Sequence, residues 1–447
     1  MFFLWTVLVA SAADDFATDA SVHTLPNGLT VILEESHRTD TIALHIAFGV
    51  GSRDERDGEK GCAHLFEHLM FEGSANVPTD QFDAWLTQAG GSNNAWTSED
   101  TTAYHMTFPS GALDLALFLE SDRLGFLDSG LDDENISNQQ LVVLQERNEG
   151  YAEPNGRDWD AMNRLTWPDD HPYNVPVIGT VADIEGFAID KVRTFWERHY
   201  RTQNAVLSLV GHFEEAEALE RVAFWFSDID DQGEAEARVE GQPAQFPTTN
   251  QHGFVADDVE ERTIYQVYPT VPVGHADEPA LEVLSYVLSN GRGTRLDDRM
   301  YYNSNMASDD GAFFYGMDIG GQFIVYGSDY KTPVKKLDKV LSKTIAGVVD
   351  KPPTKDELDR AKRSIRSGVL DSLEYTENRA ELLVDCYRKT GDANCLAAQA
   401  ARYDAVTSAD VVRVTQKYLT DENKQLLSIV PKDKGGEYPR SVTVELP

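Results

Sequence analysis

The sequence predicts an α+β fold of two homologous domains, each an antiparallel sheet packed with helices. The chain has 447 residues, which is more than one hydrophobic core usually holds. Strand and helix patterns are interleaved in both halves, and the second half repeats the order of the first. A polar, acidic stretch at 228–252 separates the halves. We therefore expect an N-terminal domain at 13–227, a linker at 228–252 and a C-terminal domain at 253–447.

The first half begins with a Pro-Asn-Gly turn at 26–28, and the apolar patterns after it predict two strands. An apolar helix follows, and Thr79 is placed to cap the next helix, which Gly90 ends. Two strands, two helices and a helical return to a last strand complete the pattern. The expected ranges are strands at 29–33, 42–48, 93–97, 102–108 and 204–210, and helices at 62–71, 79–89, 112–127 and 135–151.

The second half shows the same sequence of patterns: a strand, an apolar helix followed by a glycine-rich turn, two strands, several helices and a final strand. Two similar domains joined by a linker indicate a clamshell with a chamber between them. The expected ranges are strands at 263–267, 312–317, 322–326 and 425–430, and helices at 279–289, 334–349, 355–373 and 377–389.

Charge and the N-terminus restrict the compartment and the partners. The chain carries 39 Lys and Arg against 75 Asp and Glu, a net charge of −36, which repels nucleic acid and anionic membrane. Residues 1–13 are apolar but too few to span a bilayer, and Ala10-Ser11-Ala12 offers a cleavage site. We expect a signal peptide at 1–12 and a soluble periplasmic or secreted protein. Because no Lys or Arg precedes the apolar run, an uncleaved anchor or a misplaced start codon is the alternative.

Three cysteines occur in the sequence. Cys62 lies in an apolar helical pattern and is expected to be a small core residue. Cys386 and Cys395 are nine residues apart, so a disulfide is permitted in an oxidising compartment. The spacing leaves open whether it forms.

The most informative feature is His64-Leu65-Phe66-Glu67-His68, an H-x-x-E-H pattern. Histidines four apart lie on one face of a helix, so both imidazoles can reach one metal ion. The surrounding helix is apolar on almost every side and should be buried, which is costly for these side chains unless something binds them. The alternative is a pair of core histidines hydrogen-bonded to Glu67.

A catalytic zinc site needs three protein ligands and one open position. The third ligand is sought in a helical stretch, 141–150, where Glu146 and Glu149 are three apart and can face the same way. The residues alone do not choose between these two glutamates, and an exposed charged helix face is the alternative.

With these motifs the chain resembles the insulinase/pitrilysin family of inverzincin metallopeptidases, close to the mitochondrial processing peptidase branch and its exported bacterial relatives. The likeness covers nearly the whole mature chain and is strongest from Asn27 to Val210. It rests on these stretches of the sequence: Leu25-Pro26-Asn27-Gly28-Leu29, 61–68 with 71–74, Asn94-Ala95-Trp96-Thr97 with Asp100 and Thr102, 138–147, His171-Pro172-Tyr173 with Ile178-Gly179, and 203–205 with Val210-Gly211.

The resemblance implies a zinc metalloendopeptidase and half of a clamshell peptidase. It implies that His64, His68 and Glu146 bind Zn²⁺ and that Glu67 is the catalytic base. Many members carry an acid seven residues before the third ligand, where this chain has Gln139. The family's substrate adds as a strand to an edge strand, which matches Asn94, Ala95 and Trp96 here; an ordinary hairpin edge is the alternative.

One departure from the family concerns the second half. Members that act alone, or the partners of paired members, carry an Arg and a Tyr seven apart that grip the substrate carbonyl. Those positions fall here on Tyr301 and Ser308. We therefore expect a heterodimer with a same-fold subunit that carries the Arg and the Tyr, acting on peptides or unfolded proteins. A homodimer and a non-catalytic peptide-binding or scaffold subunit are the alternatives.

Overall fold

The computed structural model describes residues 16–230, 238, 250–302 and 306–437. The expected signal peptide and most of the expected linker lie outside these ranges. Across the described ranges, no helix combines the length and the apolar character needed to cross a membrane.

The first domain is a six-stranded sheet with helices, in the sheet order β1-β2-β6-β3-β5-β4. Its pairs are antiparallel except β2 with β6, which run parallel. Its elements are β1 (Ser21–Thr24), β2 (Thr30–Glu35), β3 (Thr41–Phe48), α1 (Cys62–Leu69), α2 (Gln81–Gln88), β4 (Ser92–Thr97), β5 (Thr102–Pro109), α3 (Leu113–Phe126), α4 (Asp133–Ala152), α5 (Asp158–Thr166), α6 (Val181–Glu185), α7 (Ile189–His199), β6 (Ala205–Gly211) and α8 (Glu215–Phe226).

The second domain repeats this plan with a five-stranded sheet in the order β7-β11-β8-β10-β9. Here the parallel pair is β7 with β11. Its elements are β7 (His252–Asp257), β8 (Arg262–Thr270), α9 (Glu278–Leu288), β9 (Asp309–Gly316), β10 (Gly321–Asp329), α10 (Val334–Asp350), α11 (Lys355–Leu373), α12 (Thr376–Thr390), α13 (Leu396–Asp404), α14 (Ser408–Tyr418) and β11 (Gln425–Pro431).

The predicted fold class is confirmed, and the predicted strands and long helices lie within a few residues of their observed bounds. The parallel pair in each sheet was not predicted. The prediction that Thr79 caps a helix was wrong: α2 begins at Gln81, and its N-cap is Asp80, in the left-handed region with φ 65°. Asp tolerates this conformation better than most residues, which lets the chain turn once more before the helix starts.

On the face turned away from its own domain's main core, each sheet packs against a helix of the other domain. Helix α5 packs on the second sheet, with Met162 and Leu165 among the residues that contact it. Helix α12 packs on the first sheet, where Leu383 and Val384 are fully buried. Each domain therefore contributes a helix to the apolar packing of the other, which ties the second domain to the sheet of the domain that carries the histidine motif.

Polar contacts reinforce this union at the β4–β5 turn. The Tyr173 hydroxyl donates to the Asp100 carboxylate, with O···O distances of 2.8 and 3.0 Å to its two oxygens. The backbone N–H groups of Asp318 and Ile319, from the second domain, donate to Asp100 and to the Tyr173 hydroxyl. Arg53 Nη1 lies 2.9 Å from Asp100 Oδ1. The turn that follows β4 is thus held by groups of both domains.

The cysteines follow the sequence analysis. Cys62 is fully buried as a free thiol. Cys386 and Cys395 are joined by a disulfide, which connects α12 to the start of α13. The pairing that the spacing left open is therefore present in the structure.

Candidate metal centre

The helix that carries the motif, α1, begins at a tight turn that requires glycine at position 61. Gly61 has φ 96°, and a Cβ at this position would lie 2.7 Å from the carbonyl oxygen of Ile178. The buried Glu55 carboxylate accepts hydrogen bonds from the backbone N–H groups of Gly61, at 3.0 Å, and Ala63, at 2.9 Å. A carboxylate at this end of a helix satisfies free N–H groups and complements the helix dipole. These contacts fix where the first turn of α1 starts.

Helices α1 and α4 bring three ligand side chains together. His64 and His68 stand one turn apart on α1, with their rings 5.0 Å apart. Glu146 projects from α4, and its Oε2 lies 3.8 Å from His64 Nε2 and 3.4 Å from His68 Nε2. An ion bound at about 2.1 Å in tetrahedral geometry holds its ligand atoms roughly 3.4 Å apart. The three atoms therefore have close to the separations that one zinc ion requires.

The chemistry of this donor set also fits zinc. Two imidazole nitrogens and one carboxylate oxygen form a recurrent catalytic zinc set that leaves a position open. Burial and the neighbouring His68 lower the pKa of His64 to about 4, so its ring is neutral at pH 7 and its nitrogen can bind a metal. A hydrogen bond with His68 lowers the pKa of Glu146 despite its partial burial, so this carboxylate is ionised.

The direction of the α4 side chains distinguishes the two candidates for the third ligand, Glu146 and Glu149. The Glu146 carboxylate lies beside both histidines, whereas the Glu149 carboxylate accepts a hydrogen bond from Gln145 at 2.8 Å; both glutamates are exposed. Only the Glu146 carboxylate belongs to the three-ligand set with His64 and His68. The geometry thus selects the glutamate that the family resemblance implied.

Glu67 is partly buried beside this set and is held by Thr97 at the end of β4. The Thr97 hydroxyl donates to Glu67 Oε2 at 2.7 Å. Burial raises the pKa of Glu67, and the hydrogen bond from Thr97 opposes that rise. Thr97 ends the Asn-Ala-Trp-Thr stretch, but the sequence indicated no role for its hydroxyl; its place at the end of the edge strand was the available signal.

Gln139 has a partner that the sequence did not indicate. Its Nε2 donates to Glu72 Oε1 at 2.6 Å, across from α4 to the chain that leaves α1. Burial and the negative charge of Asp80 raise the pKa of Glu72. A carboxylate is therefore present near this part of the site, although it comes from the segment after α1 and not from α4.

The residues expected to bind substrate lie on β4, the last strand of the first sheet. Ala95 packs toward the core that contains α1, and Trp96 packs on the opposite face. The Asn94 side chain accepts a hydrogen bond from the Ala95 N–H. These positions place the three residues at a sheet edge, and their role in binding stays a prediction.

The two positions aligned with the family's Arg and Tyr take other contacts. Tyr301 is exposed in a wide helical turn, Asp297–Tyr302. The Ser308 hydroxyl donates to Glu261 Oε2 and to the Ser328 carbonyl.

Comparisons with known proteins agree with this fold. A model of the insulinase family (peptidase family M16) matches residues 30–178, and a model of the M16 inactive domain matches residues 186–365. The chain is 26% identical to the zinc protease PqqE of Helicobacter pylori over 416 residues, covering 91% of this chain and 92% of that protein. It is 24% identical to a probable mitochondrial-processing peptidase subunit beta of Arabidopsis thaliana over 425 residues, covering 93% and 79%.

Solved structures share the two-domain arrangement. A protease from Helicobacter pylori superposes with a TM-score of 0.85 at 24% identity, covering 93% of this chain and 100% of that chain. An M16 inactive-domain protein from Pseudomonas fluorescens superposes with a TM-score of 0.82 at 18% identity, covering 92% and 98%. These likenesses show the fold, and the two family models together span both domains. The chain belongs to the insulinase family of peptidases, peptidase family M16.

Proposed function

We propose that this chain is a zinc metalloendopeptidase subunit that hydrolyses peptide bonds in peptides or unfolded polypeptides. The observation that carries the proposal is the convergence of His64, His68 and Glu146 on one point, with Glu67 beside them. The names of related proteins, zinc proteases among them, support the same reaction.

The side chains divide the chemistry between them. A zinc ion bound by the two histidines and Glu146 supplies Lewis acidity, which polarises a peptide carbonyl and acidifies water. Glu67 accepts a proton from the water that attacks the carbonyl carbon, and it then donates a proton to the amine as the C–N bond breaks. Thr97 holds the carboxylate in place, and burial raises the pKa of Glu67, which favours its taking up a proton.

We propose that the substrate binds as an added strand along β4, at Asn94, Ala95 and Trp96. Strand addition uses backbone hydrogen bonds and tolerates many side chains, which suits an unfolded polypeptide. The support is that β4 is an edge strand and ends at Thr97, the residue that contacts Glu67.

We infer further that the active form pairs this chain with a second subunit of the same fold. The absence of Arg at position 301 and of Tyr at 308 supports a partner that supplies them. One relative is named as the beta subunit of a mitochondrial-processing peptidase, which also fits a paired subunit. A homodimer in which another residue acts in their place is the alternative.

We propose that the protein resides in the periplasm or outside the cell. The apolar start of the chain and the disulfide support this location.

Metal content and peptide cleavage, measured on the same preparations, test the proposal. We expect the wild type to bind zinc and to cleave an unfolded polypeptide when co-expressed with a same-fold subunit that carries the Arg and the Tyr. Glu67→Gln should keep the zinc and lose roughly 10²- to 10⁴-fold in kcat, the usual contribution of a general acid–base group.

Glu146→Gln and Glu149→Gln form a matched pair on one helix. The first should lower zinc affinity and cleavage together, and the second should leave both unchanged. Wild-type cleavage by Glu67→Gln would contradict the role of the base, and a zinc-binding chain that never cleaves in any combination would indicate a scaffold subunit. Cleavage by the isolated chain at full rate would favour the homodimer.

A further inference from the structure

A cavity where the two domains meet is lined by an arginine that has no carboxylate partner. The cavity has a volume of about 630 Å³ and lies where α12 meets the first sheet. It is lined by the turn between β4 and β5, the last turns of α12 and the turn between β9 and β10. Arg388 of α12 is one of the lining residues, and among those the structure describes there is no candidate zinc ligand.

The other cations of the lining are neutralised by carboxylates. Arg238 Nη2 lies 2.8 Å from Asp54 Oδ2, and Lys389 Nζ lies 2.9 Å from Asp385 Oδ2. Within the described part of the chain, Arg388 forms no ion pair, and the two acceptors that it contacts are uncharged oxygens. Arg388 is therefore the cation of this cavity that lacks a counter-ion.

The guanidinium group of Arg388 uses only part of its hydrogen-bonding capacity. Its Nη1 donates to the Thr101 hydroxyl oxygen at 2.6 Å, and its Nη2 donates to the Asp100 carbonyl oxygen at 3.5 Å. A guanidinium carries about five N–H donors, so most of them have no acceptor among the described residues. The Thr101 hydroxyl accepts from Arg388 and keeps its own hydrogen to donate. Arg388 and Thr101 thus offer hydrogen-bond donors side by side.

This arrangement is electrostatically unfavourable without an anion. Burial, together with the neighbouring positive charge of Arg238, lowers the pKa of Arg388, although the charges of Asp318 and Asp385 oppose that shift. Buried charges in native proteins are normally paired. The planar fork of a guanidinium fits the oxygens of a carboxylate or a phosphate group, which accept two parallel hydrogen bonds from it.

The acidic residues of the lining are held by donors other than Arg388. Asp385 pairs with Lys389, as described above. The remaining acids and one partner of each are Glu99 with Tyr315, Asp100 with Arg53, and Asp318 with Arg238. These contacts keep the carboxylates of the lining from taking the place of a counter-ion at Arg388.

We propose that this cavity binds a small oxyanion, a carboxylate or a phosphate group, between Arg388 and Thr101. Arg388 belongs to the second domain and Thr101 to the first, so the bound anion joins α12 to the turn that follows β4. The site is separate from the proposed zinc centre. A ligand that binds the folded state stabilises it by mass action, so occupancy of the site raises the melting temperature.

Thermal unfolding of the full-length mature protein with added anions tests the proposal. Inorganic phosphate and acetate are titrated separately, against chloride at equal ionic strength. The titrations use the His64→Asn/His68→Asn background, because phosphate bound to a zinc ion would otherwise contribute. We expect at least one of the two anions to raise the melting temperature, and the one that does so identifies the class of ligand.

Substitutions at Arg388 locate the binding. Arg388→Gln should weaken the binding of that anion, measured by calorimetry, at least roughly tenfold, because it removes charge-assisted hydrogen bonds. Arg388→Lys keeps the charge and loses the fork, so it should bind more weakly than the parent while folding as the parent does. Lys389→Gln is the matched control: Lys389 is the next residue, lines the same cavity and already pairs with Asp385, so binding should be retained.

Arg388→Gln also has an expected effect without added anion. In chloride alone it should unfold at or above the temperature of the parent, because it removes an uncompensated buried charge, and the bound anion should reverse this order. No rise with either anion, or an equal rise in the parent and in both Arg388 variants, overturns the site. An Arg388→Gln protein that unfolds far below the parent in chloride would show that Arg388 is already compensated and would also overturn it. None of these results bears on the proposed reaction, since the candidate zinc ligands take no part in them.

Discussion

The hydrogen bond from Thr97 to Glu67 makes a sharp prediction about catalysis. Thr97→Val removes the hydroxyl and keeps nearly the same shape, so the end of β4 should stay in place. The Glu67 carboxylate then loses a partner at 2.7 Å and is free to rotate away from the attacking water. Thr97→Ser retains a hydroxyl and is the matched control.

The size of the effect follows from the type of hydrogen bond. A hydrogen bond to a charged group contributes about 1.5–3 kcal/mol. If Glu67 needs this bond in the transition state, the full amount appears in the barrier, at a tenfold loss of rate for each 1.36 kcal/mol. The expected loss in kcat for Thr97→Val is therefore roughly 10- to 160-fold, with a small change in KM, because the threonine hydroxyl donates to Glu67.

Steady-state kinetics and the zinc content of the active assembly test this prediction. Thr97→Val should bind the wild-type amount of zinc, since Thr97 contacts none of the ligands His64, His68 and Glu146. Thr97→Ser should recover most of kcat. A wild-type kcat in Thr97→Val, or an equal loss in Thr97→Ser, would show that the hydroxyl does not position the base.

Three further predictions concern stability. Burial lowers the pKa of His45 to about 3, so as the pH falls through 6.5 the unfolded chain binds a proton that the folded chain does not. Between pH 6.5 and 5 the free energy of unfolding, measured by denaturant titration, should therefore fall about 1.6 kcal/mol further in the wild type than in His45→Gln. Leu383→Ala in α12 should cost about 2–5 kcal/mol and weaken amide protection in the first-domain strand β3; unchanged protection there would contradict reciprocal packing. Cys386→Ser/Cys395→Ser should lose about 2–3 kcal/mol, and alkylation of all three thiols in wild type unfolded without reductant would exclude the disulfide.

The low pKa of His45 results from all the groups packed around its ring. On the sheet it stacks with His105 and lies near Trp96. From α12 it faces the charges of Asp385 and Arg388, and Glu377 pairs with His105 beside it. Burial and the neighbouring His105 outweigh the attraction of Asp385, which is why the neutral ring is favoured.

Much of the candidate site could be predicted from the sequence because its signals are local. Two histidines four apart on an apolar helix define a ligand pair by helical geometry alone, and the strands of β3 and β5 follow from short-range alternation. Local pattern alone did not identify Glu146 as the third ligand candidate, because helical spacing places Glu149 almost equally well. The direction of the α4 side chains decides between them, and that direction is set by packing against α1.

The features that escaped prediction depend on contacts between distant parts of the chain. The parallel pairing of β2 with β6 joins residues about 175 positions apart, and no local pattern specifies it. The packing of α5 on the second sheet and of α12 on the first sheet is equally non-local. Asp80 replaced Thr79 as the cap because the chain before α2 makes a tight turn against its own backbone, which composition does not reveal.

The second domain carries no histidine motif, yet a chain of hydrogen bonds connects it to the proposed active site. Glu67 is held by Thr97, and the turn that follows Thr97 is held by Asp100. Asp100 in turn accepts a hydrogen bond from the backbone of Asp318, and α12 supports the opposite face of the same sheet. A shift of the second domain would therefore reach the end of β4 through Asp100, and through Thr97 it would reach Glu67. In the proposed reaction the second domain then helps to position the proposed base and the proposed substrate edge, although it carries no metal ligand of its own.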